Sequence, residues 1–364
     1  MTADRKTEIF KIDPENIDCE VLKYCAERLK EGALVCFPTE TVYGLGANAF
    51  MRDSVKKIFK AKGRPADNPL IVHISDYSML DGVAECNEKQ REMLERIGAK
   101  YWPGPLTMIV SKHNDIPSEV SCGLSTVGIR LPVNPIARKL IEFAGVPVAA
   151  PSANLSGKPS PSLASHVIED LNGRVDIIID GGACGIGVES TVLDISGEKP
   201  VILRPGAVTL EDITVLYYDA DEFDWKSSHA GGDDCDIGNP KSPGMKYTHY
   251  SPEAEVIIYD GKRENIVREI KNVARECMKD GIPVGILAAD ENADTYGEFE
   301  HVLKLGSADD GLAQASNLFK LLREFDKLGV KKVFAEAVSC GGVGDAVMNR
   351  LFRSAGGNVI NADK

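Results

Sequence analysis

The chain has no Gly-x-x-x-x-Gly-Lys-Ser/Thr loop, no C-x-x-C pair, no long apolar run and no surplus of positive charge. Each absence narrows the function. Without a Walker loop, a bound ATP must be held by some other cradle. Nine cysteines stand singly at positions 19, 25, 36, 86, 122, 184, 235, 277 and 340, an odd number that gives neither a disulfide framework nor a zinc ribbon. No stretch approaches the ~20 apolar residues of a membrane span. The first residues, Met1 to Glu8, are polar and hold no signal core, so a cytoplasmic location is expected. A formal charge of −13 argues against a protein that coats nucleic acid by bulk attraction. The positive charge that matters must be concentrated.

With 364 residues the chain exceeds one usual core, so two domains are expected. Apolar residues at Ile17, Val21, Leu22, Cys25, Ala26 and Leu29 carry helical spacing, and Gly32 stops the helix. Short apolar strands then alternate with helices, among them Ala33 to Phe37, Leu70 to Ile74, Leu106 to Ser111, Thr126 to Leu131, Val146 to Ala150 and Thr191 to Ile195. This alternation predicts an α/β domain with a mixed twisted sheet. Asp219 to Pro240, rich in Asp and Gly, reads as a flexible linker, whereas Ser242 to Pro252 is too aromatic for an inert spacer. From Ala254 the pattern restarts, with strands at Val256 to Tyr259, Pro283 to Ala288 and Lys332 to Glu336 and a long helix from Gly311 to Leu328. That succession suggests a small Rossmann-like domain lacking the dinucleotide fingerprint. The expected division is 1–211 catalytic, 212–253 linker and 254–364 C-terminal.

Chemistry gathers where apolar runs end. Lys62-Gly63-Arg64 precedes the strand that closes at His73 and makes a cationic turn. Lys62 supplies a point charge, Arg64 a planar fork, and Gly63 a close backbone approach to an anion. The bland alternative is a solvated helix C-terminus. Upstream, the strand ending at Phe37 runs into Thr39, Glu40 and Thr41 and a Gly44-Leu45-Gly46 turn. Downstream come Ser125 to Pro132, Ala149 to Asn154 with Ser156 and Ser160, Glu189 to Thr191, and Leu203 to Gly206. Period-two alternation puts Thr126 and Arg130 on one strand face. Such strand ends are where α/β folds collect ligand contacts. Glu40 and Glu189 are the only acids inside these segments, and either could as easily bond backbone N–H groups.

Together these segments resemble the YrdC family in its two-domain form. The resemblance rests on Lys62-Gly63-Arg64, Ser152-Ala153-Asn154, Pro38 to Gly46, Asn68 to His73 and Ser190 to Asp194, in family order. It covers Ile9 to about Val208, and Ser242 to Pro252 extends it. The resemblance implies a nucleotidyl transfer in which L-threonine and bicarbonate give N-carboxy-threonine, whose carboxylate attacks the α-phosphate of ATP and expels pyrophosphate. The adenylate would then pass to a transferase complex that modifies the adenosine beside the tRNA anticodon. By the same resemblance, ATP would be held by Lys62, Arg64, Asn68, Thr126, Ser152, Asn154, Ser160, Arg204 and Tyr247, with Tyr250 as the alternative to Tyr247. L-threonine would be held by Thr41, His73, Arg130, Ser190 and the backbone at Ala150.

Two anions meet in that reaction, so the protein must cancel repulsion and align the attack, with Lys62 and Arg64 as the catalytic cations. His73 would orient threonine or take a proton from its amine. Mg²⁺ is expected to accompany ATP without a protein-built metal site, and no tightly bound cofactor is expected. Lys246, Tyr247 and His249 are expected to form a lid over the occupied site. An RNA-binding module is the first rival, opposed by the acidic chain. Hydrogenase-maturation carbamoyl transfer is the second, but such proteins add an acylphosphatase-like domain and paired-cysteine zinc motifs that this chain lacks.

Overall fold

In the computed structural model, which describes residues 6–225, 241–242 and 250–364, the alternating apolar runs build two sheets. The first holds β1 (Glu8–Lys11), β2 (Val35–Phe37), β3 (Gly44–Asn48), β4 (Ile71–His73), β5 (Leu106–Ser111), β6 (Thr126–Arg130), β7 (Val148–Ala150), β8 (Ile177–Asp180), β9 (Thr191–Asp194), β10 (Val201–Arg204) and β11 (Asp221–Glu222). Their order is β1-β8-β2-β3-β7-β4-β6-β5-β9-β10-β11, with parallel and antiparallel neighbours mixed. Around them lie α1 (Cys19–Lys30), α2 (Arg52–Lys62), α3 (Glu88–Tyr101), α4 (Ser118–Ser121), α5 (Pro135–Ala144), α6 (Ala164–Leu171) and α7 (Leu210–Thr214). The expected mixed α/β sheet is the one found.

Local rules explain the parts that matter for the site. Helix α1 buries Leu22, Cys25, Ala26 and Leu29, the residues its spacing selects, and the Asp18 carboxylate caps it by accepting from the N–H groups of Glu20 and Val21. Helix α2 ends at Gly63, whose φ of 63° is left-handed. That stop buries Lys62 and turns Arg64 off the helix axis.

Two expectations need correction. Gly44-Leu45-Gly46 is not a turn: it lies in β3, antiparallel to β2, with Gly46 opposite Val35. The glycine is there for space, because a Cβ on Gly46 would stand 2.7 Å from the Phe37 ring and 2.8 Å from Val148. The region 212–225 is not linker either. Asp221 and Glu222 of β11 pair with Val201 and Ile202 of β10, and Trp225 is buried with its ring 5.4 Å from that of Phe352. Polar composition hid an edge strand whose stability comes from pairing. Residues 226–240 and 243–249, with Lys246, Tyr247 and His249, lie outside the described residues.

The second sheet holds β12 (Glu255–Asp260), β13 (Val284–Ala288), β14 (Val302–Lys304), β15 (Lys332–Glu336) and β16 (Val359–Asn361), ordered β14-β13-β15-β12-β16 and parallel throughout. Helices α8 (Arg263–Lys279), α9 (Asp290–Ala293), α10 (Gly311–Leu328) and α11 (Val343–Ser354) complete it as a Rossmann-like domain. The two domains share apolar packing, since Val42 and Val188 of the first join Phe319 and Phe325 of the second in one core. Gly187, at φ 84°, permits the approach: a Cβ there would lie 2.6 Å from the carbonyl oxygen of Ala315 in α10.

Candidate active site

Strand pairing assembles the site. In β4 and β6, which run parallel, His73 stands beside Arg130, and in the antiparallel pair β4 and β7, Ile71 stands beside Ala150. Lys62 and Arg64 arrive from the end of α2, and Ser152, Asn154 and Ser160 from the loop between β7 and α6. Ser190 just before β9 and Arg204 at the end of β10 close the ring. All eleven of these residues line one cavity of about 750 Å³, open mouth included.

Three sequence-expected residues are placed otherwise, and a fourth lies outside the described residues. Thr41 is buried with its hydroxyl 2.9 Å from that of Thr39, and Thr39 rather than Thr41 lines the cavity. Asn68 is buried off the lining, and neither Nδ2 nor Oδ1 of its amide has a hydrogen-bond partner among the described residues. Such an amide is costly unless a ligand meets it. Thr126 lies at the start of β6 opposite Ser111 and does not line the cavity. Tyr247 lies outside the described residues, whereas Tyr250 does line the cavity, at a left-handed φ of 67° and with its ring 5.1 Å from Phe319.

Lys62 points inward. Its ammonium donates to the carbonyls of Ser152 at 2.5 Å and Asn154 at 2.6 Å, so it clamps the Ser152-Ala153-Asn154 turn from within. Burial, and then the charge of Arg64, push its pKa down to about 7. The turn is further braced by the Ser152 hydroxyl, which donates to Asn154 Oδ1 at 2.5 Å, and by Asn154 Nδ2, which donates to the carbonyls of Leu155 and Lys158 at 2.8 Å. Arg64 donates to the Asn68 carbonyl at 3.0 Å.

The threonine end expected from the sequence has its own electrostatics. His73 is pushed down to about 3 by burial and then by Arg130, and its ring stands edge-on to Phe37. It is a neutral imidazole. Arg130 Nη2 sits 2.7 Å from Glu40 Oε1. Arg204 donates through Nε and Nη2 to the Ser190 carbonyl at 3.2 and 3.0 Å, and burial leads the fall of its pKa to about 10. Gly206 lets the Arg204-Pro205-Gly206 turn lie on Ser190 and Thr191, because a Cβ would collide with the Thr191 nitrogen.

Both acids are engaged by side chains, and a backbone N–H also bonds Glu189. Glu189 accepts from the Ser160 hydroxyl at 2.5 Å and from Arg350 Nε at 3.1 Å. Burial works to raise its pKa, but Arg350 and then Arg204 hold it below the ordinary carboxylate value. Glu40 is paired with Arg130 and Glu189 with Arg350, and no metal-ligating cluster occurs among the described residues.

Arg350 escaped the sequence reading because it belongs to no motif. A signal was present: its helix buries Val347, Met348 and Leu351 around it, and a cation on an apolar helix face must find a buried partner. Among the described residues no helix is long and apolar enough to cross a membrane.

Comparison with known proteins agrees over nearly the whole length. A family model for Sua5, YciO and YrdC proteins, described as "Telomere recombination", matches residues 27–206, and one described as "Threonylcarbamoyl-AMP synthase, C-terminal domain" matches residues 208–356. The chain is 45% identical over 364 residues to the threonylcarbamoyl-AMP synthase of Bacillus subtilis, covering 98% of each chain. It is 44% identical over 346 residues to that of Pyrococcus abyssi, covering 95% of this chain and 97% of the relative. The crystal structure of P. abyssi Sua5 complexed with L-threonine matches with a TM-score of 0.88 at 44% identity, covering 98% of this chain and 99% of that one.

Proposed function

The chain belongs to the threonylcarbamoyl-AMP synthase family, and we propose that it converts ATP, L-threonine and bicarbonate into threonylcarbamoyl-AMP, pyrophosphate and water. It is a nucleotidyl-transferring enzyme. The observation that carries this reading is one cavity lined by cations, Arg130 beside His73, and Arg204 together with the Lys62-braced loop.

In this reading the threonine carboxylate takes the place of Glu40 on the Arg130 fork. The amine attacks the carbon of bicarbonate-derived CO₂, forming the N–C bond and losing a proton, and water is the by-product. Neutral His73 accepts a hydrogen bond from the amine and so orients it. A carbamate oxygen then attacks the α-phosphorus, and the bond to the bridging oxygen breaks as pyrophosphate leaves with the electron pair. Arg64 and Arg204 offset the charge that develops on the phosphate, and Ser152, Asn154 and Ser160 shape the loop against which the nucleotide lies. Asn68, with its unmet amide, is a further nucleotide contact. Mg²⁺ accompanies ATP through phosphate and water ligands. The product passes to a downstream transferase complex that acts on tRNA.

The test is pyrophosphate release measured with and without L-threonine and bicarbonate. Joint dependence on both is expected. Equal ATP turnover without threonine overturns the proposal.

A further inference from the structure

Arg350 is the largest fully buried side chain among the described residues, yet its charge does not end in its own domain. It leaves α11 and enters the cavity wall of the first domain. Its Nε meets Glu189 Oε2 at 3.1 Å, Nη1 donates to the Pro205 carbonyl at 2.6 Å and to Asn349 Oδ1 at 3.2 Å, and Nη2 donates to the Glu189 carbonyl at 3.4 Å. Through these bonds one guanidinium touches the chain just before Ser190 and just after Arg204. Through the Glu189 carboxylate it also reaches the Ser160 hydroxyl.

A second arginine grips the same loop from the other side. Arg323 of α10, also buried, pairs with the Asp170 carboxylate at 2.7 and 3.3 Å and donates to the Pro159 carbonyl at 2.7 and 3.2 Å. Asp170 in turn accepts from the Leu155 N–H at 3.2 Å. The stretch from Leu155 to Ser160 is therefore fixed near both ends by cations from the second domain.

We infer that the second domain is the positioning half of the active site: Arg350, acting through Glu189, sets the Ser160 hydroxyl and the Arg204-Pro205 turn in the geometry that receives the nucleotide. Arg323 holds the preceding residue of the same loop. Arg350 is a positioning residue and touches no substrate. The inference rests on the nucleotide reading of Ser160 and Arg204 given above. Removing Arg350 leaves a buried anion beside the triphosphate site, where Glu189 either repels the nucleotide or draws Arg204 off Ser190. Lysine cannot replace it, because one ammonium cannot span Glu189 and Pro205 as a planar fork does. The effect should fall mainly on ATP and far less on threonine, which keeps Arg130 and His73 although Ser190 adjoins Glu189.

The experiment is steady-state pyrophosphate release by the full chain, varying ATP and L-threonine separately, for Arg350→Met, Arg350→Lys, Arg350→Met/Glu189→Gln and Ser160→Ala, with melting temperatures measured alongside. Arg350→Met should raise KM for ATP about 10- to 100-fold and leave KM for threonine within about 3-fold. Arg350→Lys should fall between it and wild type, and the double variant, with no orphan charge, should recover part of the loss. If Arg350→Met fails to fold, the lysine and double variants carry the same comparison. Unchanged ATP kinetics in any folded Arg350 single variant overturn the inference, as does an equal rise in both KM values or a lowered melting temperature with normal kinetics. Ser160→Ala separates the two layers: normal ATP use there brings down the nucleotide reading of the loop and the inference with it. A raised KM in Ser160→Ala with none in the Arg350 variants brings down the inference alone.

Discussion

The first domain delivers polar groups to the cavity at the ends of short strands, whereas the second delivers two arginines from the faces of long helices. Arg130, Ser190 and Arg204 stand at or beside the ends of β6, β9 and β10, where a turn exposes them. Arg323 and Arg350 lie inside α10 and α11 among apolar neighbours. A strand end can present a side chain to a ligand, while a buried helix face can present one only to another protein group. The difference separates residues that meet substrate from residues that hold those in place.

The largest effect should come from breaking the helix-borne contacts. Arg323→Ala leaves the fully buried Asp170 carboxylate with Lys158, 3.5 Å away, as its remaining cation, and breaking a buried pair from one side costs up to about 3–5 kcal/mol. Urea unfolding should show that loss, and Arg323→Met/Asp170→Asn should regain at least half of it. A single variant within about 1 kcal/mol of wild type would mean that the second domain does not grip the first through this pair.

A smaller, more selective effect should come from a strand-borne contact. Arg130→Ala removes the fork proposed for the threonine carboxylate, a charge-assisted pair worth about 1.5–3 kcal/mol. KM for threonine should therefore rise roughly 10- to 100-fold at an unchanged KM for ATP. If ATP use suffers instead and threonine saturation does not move, the two substrates have been assigned to the wrong cations.

The contrast also explains how much of the molecule was legible in the sequence. Ile71-Val72-His73 and Thr126 to Arg130 were readable because period-two patterning fixes a strand face, and the fold then places His73 beside Arg130. The strands β1, β14 and β16 were missed because they carry little buried apolar surface, β16 being exposed throughout. Their stability comes from pairing, which has no local signal. Gly44-Leu45-Gly46 was misread because glycine marks both turns and close approaches, and only the neighbours Phe37 and Val148 distinguish them. The partners of Glu189 and Asp170 lie 161 and 153 residues away, beyond any spacing rule.

Lys62 is the residue whose chemistry was legible and whose direction was not. The sequence marks it as a phosphate cation, but its ammonium faces the carbonyls of Ser152 and Asn154, with a pKa of about 7 against an ordinary 10.5. The sign follows from proton counting. Between about pH 7 and 10.5 the folded chain binds fewer protons at Lys62 than the unfolded chain, so this group makes stability rise with pH across that window, and its burial cost is fully present below about 7. A triphosphate bound against the clamped turn favours the ammonium, so ATP binding near pH 8 should take up a fraction of a proton. Calorimetry in two buffers of different ionisation enthalpy reads that uptake directly. Lys62→Met should abolish it. Equal uptake in the variant, or none in the wild type, would place Lys62 with Arg323 and Arg350 as a brace for the loop and remove it from the cations that meet the nucleotide.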